Sequence, residues 1–191
     1  MFSPLAMVLL GYNIPVFQNL GFSTNSFAPL TTWIFAMFLA IAYVVYTFRV
    51  IPFVRAMQHE ISFLKLVGIV SAIVGGIVEE AVFRRWLMDY LMYAGVGSVI
   101  QVASSGVIFG LAHTSWLLAK GELRFAFPAI LSTAVLGALL AAIYLLGGRN
   151  LGPCIFAHVL INIVIEPWLL LSSLSGKWKE LNYQKTTNEV T

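Results

Sequence analysis

The sequence predicts an all-α fold, a polytopic transmembrane helical bundle of five to six spans. Three observations predict it. The 191-residue chain is 60% hydrophobic with a mean hydropathy of +0.90, outside the range of soluble globular domains. Its apolar residues come in long runs split by short polar breaks, where soluble helices would carry one-sided stripes. The short alternating segments that spanning strands need do not occur.

The first 30 residues carry no charge and are interrupted by Gly11, Pro15 and Gly21. They lack the positive start and small-residue cleavage site of a secretory signal, so the stretch near 4–22 reads as a sixth, broken or re-entrant helix, or as an interfacial lid. Five spans follow, near 31–50, 66–92, 98–119, 126–147 and 151–174, each long enough for a bilayer core of about 30 Å. Helix-breaking residues mark their limits. Pro52 follows the first, Gly95 and Gly97 the second, Gly121 the third, Gly147 and Gly148 the fourth, and Pro153 opens the fifth. The chain thus divides into an uncharged segment (1–30), a first span with its loop (31–63), a helical core (64–174) and a polar tail (175–191).

The formal net charge of +3 does not indicate nucleic acid, because the basic residues stand at span ends instead of clustering on one polar face. The partner they imply is the lipid bilayer. If the spans alternate, Arg49, Arg55, Lys65, Lys120, Arg124, Lys177, Lys179 and Lys185 share one side, with only Arg149 in a loop on the other. The positive-inside rule makes the first side cytoplasmic, together with the C-terminal tail, in an integral protein of the cell membrane. The lone cysteine, Cys154, has no internal disulfide partner and reads as a small packing residue. Trp33, Trp86, Trp116 and Trp168 read as headgroup anchors, and Glu166 before Pro167 as a kink cap or a cavity-facing group.

In a chain only 10% charged, ionisable groups at membrane depth are the informative residues. Glu79-Glu80 and Arg84 lie in the second span. Residues four apart share a helix face, so Arg84 pairs with Glu80, whereas Glu79 points about 100° away and is left to face a cavity. A structural ion pair explains Glu80 and Arg84 but leaves Glu79 without a role. Phe109 and His113 share a face of the third span, beside a small-residue surface of Ser104, Ser105, Gly106 and Gly110 suited to close helix packing. His158 and Asn162 share a face of the last span, where they are either interhelical glue or two neutral donors suited to an oxyanion. A carboxylate, two imidazoles and a carboxamide converging from three helices form a constellation suited to water attack on a carbonyl.

The patterns E-E-x-x-x-R (Glu79, Glu80, Arg84), F-x-x-x-H (Phe109, His113) and H-x-x-x-N (His158, Asn162) together resemble the signature of the CPBP family of CAAX prenyl proteases of type II and Abi-like relatives. The resemblance covers about 64–174, and all three patterns match without a substitution. It implies a glutamate-type intramembrane endopeptidase acting on a membrane-embedded or lipidated protein or peptide. Glu79 and His113 would hold and activate water, His158 and Asn162 would form the oxyanion hole, and Glu80, Arg84 and Phe109 would support them. No cofactor is expected. The rival is zinc held by Glu79, His113 and His158. No H-E-x-x-H is present, and His59-Glu60 lies in a charged loop. A non-catalytic bacteriocin immunity or scaffold protein is the alternative class. A proton-coupled transporter ranks last, because no internal repeat pairs two broken helices. Counted from nominal span ends, Glu79 and His158 fall nearer the poorly charged side and His113 nearer the cytoplasmic one.

Overall fold

The computed structural model describes residues 27–50, 63–119 and 123–174, with side chains described over 27–50, 63–113 and 127–167. The expectations for 4–22, His59-Glu60, Trp116, Trp168 and the tail fall outside them. Five helices make up the described fold: α1 (Leu30–Val50), α2 (Phe63–Tyr93), α3 (Ser98–Ala119), α4 (Leu123–Leu146) and α5 (Gly152–Leu174). No strand occurs among the described residues. Each coincides with an expected span to within a few residues. By length and composition α1, α2 and the Phe127–Leu146 part of α4 suffice to cross a bilayer, and Ser98–His113 and Gly152–Pro167 are shorter apolar stretches. Their large apolar side chains point outward, among them Leu30, Ile34 and Phe38 of α1 and Val70 and Val74 of α2. This is the inverse of a water-soluble surface, and the backbone groups are satisfied within each helix.

The breaks behave as their chemistry requires. Gly95 and Gly148 adopt φ of +79° and +65°, which a glycine reaches without a steric cost, and they end α2 and α4. Asn150 Oδ1 accepts from the Gly152 N–H at 2.8 Å, capping α5 where Pro153 needs no donor of its own.

Small residues bring the helices together. A Cβ on Gly106 or Gly110 would stand 2.7 Å from the carbonyl oxygens of Ala134 or Ile130, so α3 lies directly on the backbone of α4. A Cβ on Gly76 would meet Val159 at 2.9 Å, and one on Gly68 would meet Pro167 at 3.0 Å, which sets α2 antiparallel against α5. The buried centre, including Met88, Leu140, Tyr144, Leu151, Cys154, Ala157 and Ile161, gathers around α5. Cys154 is sealed there, its Sγ 3.3 Å from the Leu140 carbonyl. Trp33 departs from the headgroup role: it packs on Phe27 and, edge-on, on Phe156 of α5 at 5.8 Å. Trp86 is half exposed.

The apparent mismatch in depth between Glu79, His158 and His113 disappears once helix lengths are known. Across 31 residues α2 spans about 46 Å, well beyond a straight crossing of a ~30 Å core, so residue counts from a nominal span end misplace its side chains. Glu79 stands fourteen residues before Tyr93 and His113 fifteen after Ser98, so both lie at one height above the α2–α3 turn. His158 is only six residues from the start of α5, because the α4–α5 turn sits higher, level with Asp89. A polar clasp fixes this offset. Arg149, itself in the left-handed region at φ +63°, donates to Asp89 Oδ1 and to Gln101 Oε1, each at 2.6 Å. Tyr144 donates to the same Asp89 oxygen at 3.0 Å, and Gln101 donates to the Val96 carbonyl at 2.6 Å.

Arg149→Ala should cost about 2 kcal/mol, the scale of charge-assisted hydrogen bonds that are partly buried. Thermal unfolding in detergent checks this. Arg149→Lys should recover only part of the loss, since an ammonium does not reproduce the two-armed contact.

Candidate active site

The site is assembled from α2, α3 and α5, beginning with the Glu79-Glu80 pair. Up to Glu80 α2 is α-helical, and from Ala81 to Met88 it is π-wound, a form that recurs at functional sites. Glu80 and Arg84 are fully buried and pair at 3.0 Å between Oε2 and Nε. Arg84 also donates from Nη2 to the Gly137 carbonyl at 3.3 Å and lays its guanidinium over the Phe109 ring, 4.7 Å from the centroid. Gly137 makes this approach possible, because a Cβ there would strike Phe109 at 2.9 Å.

Glu79 turns the other way, as the 100° step requires. Its Oε2 lies 3.2 Å from His113 Nε2 and 3.5 Å from His158 Nε2, and this oxygen is closed off from the surface. The side chain as a whole is still 33% exposed, so its accessible part lies elsewhere. Oε1 stands 3.9 Å from where a Cβ on Gly75 would be, facing the space that this glycine leaves.

Both imidazoles are held from behind. His113 Nδ1 donates to the Phe109 carbonyl one turn back at 3.0 Å, and its ring stacks on Phe109 at 4.1 Å. His158 is buried, donates from Nδ1 to Glu80 Oε1 at 2.7 Å, and meets Phe109 edge-on at 5.4 Å. Phe83 closes the far side of Phe109 at 5.2 Å, and the Phe83 carbonyl accepts from Ser105 at 3.2 Å. With both Nδ1 protons committed, each ring in its neutral form would present an Nε2 lone pair to Glu79. Three electron-pair donors within 4.8 Å of one another require something positive between them, a shared proton, a water or a metal ion.

Asn162 is half-buried one turn along α5 from His158 on the same face. Among the described residues its carboxamide has no hydrogen-bond partner, and its polar atoms are not sealed from the surface.

All seven expected site residues therefore lie in one region, with Glu79, His113 and His158 in mutual contact and Phe109 as their floor. Sequence reasoning missed the reach of Glu80, which bridges Arg84 and His158 across 78 residues of chain. It also missed Gly137 as an acceptor. Neither carries a local signal, because each depends on which helix packs against which. With its Nδ1 given to Glu80, a neutral His158 cannot donate from Nε2 as the sequence reading expected; it does so only when the ring carries both protons.

The family model for Type II CAAX prenyl endopeptidase Rce1-like proteins matches residues 61–164. The chain belongs to this family. No curated protein and no solved structure matches it. The matched region of this Rce1-like protein includes Glu79, Glu80, Arg84, Phe109, His113, His158 and Asn162, and leaves out α1. Membership makes it a membrane-embedded protein of a protease family, a hydrolase of peptide bonds.

Truncation of Arg84 and truncation of Glu79 should differ sharply in their effect on folding. Arg84→Ala removes the cation from the buried Glu80, leaving only His158 beside it, and should cost about 3–5 kcal/mol, lowering the yield of folded protein, whereas Glu79→Ala should stay within ~1 kcal/mol of wild type. Detergent-solubilised yield and thermal midpoints measure both.

Proposed function

We propose that the protein is a glutamate-type intramembrane endopeptidase that hydrolyses a peptide bond in a membrane-associated substrate, prenylated or otherwise hydrophobic. The observation that supports this best is the carboxylate of Glu79 held between two imidazoles whose far nitrogens are already engaged. Water at this point gives its proton to Glu79, backed by His113, while its oxygen bonds to the substrate carbonyl carbon. The oxyanion that forms accepts from the Asn162 carboxamide and, when the ring carries both protons, from Nε2–H of His158, whose Nδ1–H is held by Glu80. The carbon–nitrogen bond then breaks as the proton held by Glu79 and His113 passes to the amine, leaving a carboxyl product and an amine product. Glu80, Arg84 and Phe109 act by keeping the rings and the base in place.

Zinc is the second reading, because Glu79, His113 and His158 offer one ligand atom each within 4.8 Å and both rings have the rear hydrogen bonds typical of metal-ligating histidines. The metal-free reading is preferred on proton bookkeeping. Zinc would consume Glu79 as a ligand, and Glu80 is tied to Arg84 and His158, so neither carboxylate that touches the imidazoles would remain to carry the proton to the leaving amine. By the distribution of basic residues, we place the protein in the cell membrane with its C-terminal tail cytoplasmic.

Glu79→Ala and His113→Ala should each lower turnover by at least about 100-fold in folded protein, and Asn162→Ala by roughly 100-fold, mainly in kcat. Comparative analysis of membrane peptides from cells with wild-type protein and with Glu79→Ala should reveal a precursor that accumulates. Full biological activity of Glu79→Gln would favour an immunity or scaffold role. Loss of cleavage on chelation, restored by zinc, would establish the metal reading.

A further inference from the structure

The contact between α2 and α5 carries a polar pair that the proposed chemistry does not use. Ser71 donates to Glu166 Oε1 at 3.2 Å, with Ser71 exposed and Glu166 half-buried. Among the described residues Glu166 forms no ion pair, although it lies within electrostatic reach of Glu79, His158 and His113. A carboxylate has about four lone-pair positions, and one hydroxyl donor fills one of them. At this depth such a group is costly unless it serves a partner.

Its position gives it a purpose. The antiparallel register set by Gly76 against Val159 and Gly68 against Pro167 stacks three rungs, one helical turn apart: Glu79 with His158, Gly75 opposite Asn162, and Ser71 with Glu166. The middle rung has a glycine on one side and a carboxamide on the other, and a Cβ on Gly75 would meet only Glu79 Oε1 within 4 Å. The missing side chain of Gly75 therefore leaves a gap, a groove one side chain deep, between the accessible oxygen of the proposed base and Glu166. The eight residues of helix from Ser71 to Glu79 rise about 12 Å, which an extended peptide covers in three to four residues.

We propose that Ser71 and Glu166 form a specificity subsite that binds a basic side chain of the substrate three or four residues from the cleaved bond. This rests on the peptidase reading for its register, but the subsite is a binding claim in its own right. The cation supplies the positive partner that Glu166 lacks, Ser71 holds the carboxylate toward the groove, and Gly75 leaves room for the backbone to pass.

The test uses the full chain in proteoliposomes and quenched fluorescent peptides bearing a prenylated cysteine, with one lysine moved through five residues on either side of it and glutamine as the neutral counterpart. A single lysine position should be preferred. Glu166→Gln should reduce the lysine-over-glutamine ratio of kcat/KM roughly 5- to 10-fold, with the loss mainly in KM, as for a partly desolvated charge pair. Ser71→Ala should reduce it less. Glu166→Lys should transfer the preference to a glutamate-bearing peptide, which a merely structural role would not do. A ratio identical in wild type and Glu166→Gln overturns the subsite while cleavage itself still stands. Binding of the same peptides to Glu79→Gln separates the two claims. Lysine-selective binding that needs Glu166, without cleavage by wild type, keeps the subsite and refutes the peptidase reading.

Discussion

The fully buried carboxylate of Glu80 is the constraint around which the site is built. In a low-dielectric interior it is tolerable only while its oxygens face cations or donors, and it faces two: Arg84 on its own helix and His158 from α5. Those contacts fix more than charge. They commit the rear nitrogen of His158 and draw Arg84 onto Phe109, and Phe109 in turn carries His113 on its ring and its carbonyl. Glu79 is adjacent in sequence to a residue with no freedom to rotate, so its direction is inherited. Arg84 Nη1 remains without a hydrogen-bond partner, and the aromatic face beneath the guanidinium partly offsets that cost.

Close helix approach is the second condition, and it comes from what is missing. Hydrophobic burial gives little net attraction between helices already surrounded by lipid, so contact depends on backbones meeting at short range. Gly68 and Gly76 seat α2 on α5, Gly106 and Gly110 seat α3 on α4, and Gly137 admits Phe109 beneath the histidines. Each of these contacts positions a polar side chain within one turn of it. Packing and chemistry therefore use alternate stripes of the same helices.

Much of this was legible in the residues. Helix limits followed from Gly95, Gly148 and Pro153, because backbone conformation is a local property. The opposite facings of Glu79 and Glu80 followed from helical geometry alone, as did the stacking of His113 on Phe109. What the sequence hid were relations between distant segments. The pairing of Glu80 with His158 needed the α2–α5 register, which Val159 and Pro167 set against two glycines. The common height of the three site helices needed the real length of α2 and the clasp at Arg149. Ser71, an unremarkable polar residue in an apolar run, acquires meaning only opposite Glu166.

The length of α2 has a mechanical consequence. A rod of about 46 Å in a hydrocarbon layer of about 30 Å must lean, protrude or deform the lipid around it. Trp86, Tyr90 and Tyr93 are all exposed toward its Tyr93 end, with the amphipathic character that settles at headgroups. The helix that holds Glu79 is thus also the one that feels bilayer thickness. Acyl-chain length thereby bears on the setting of the Glu79 carboxylate, and a thicker or thinner host membrane would set the tilt of this rod.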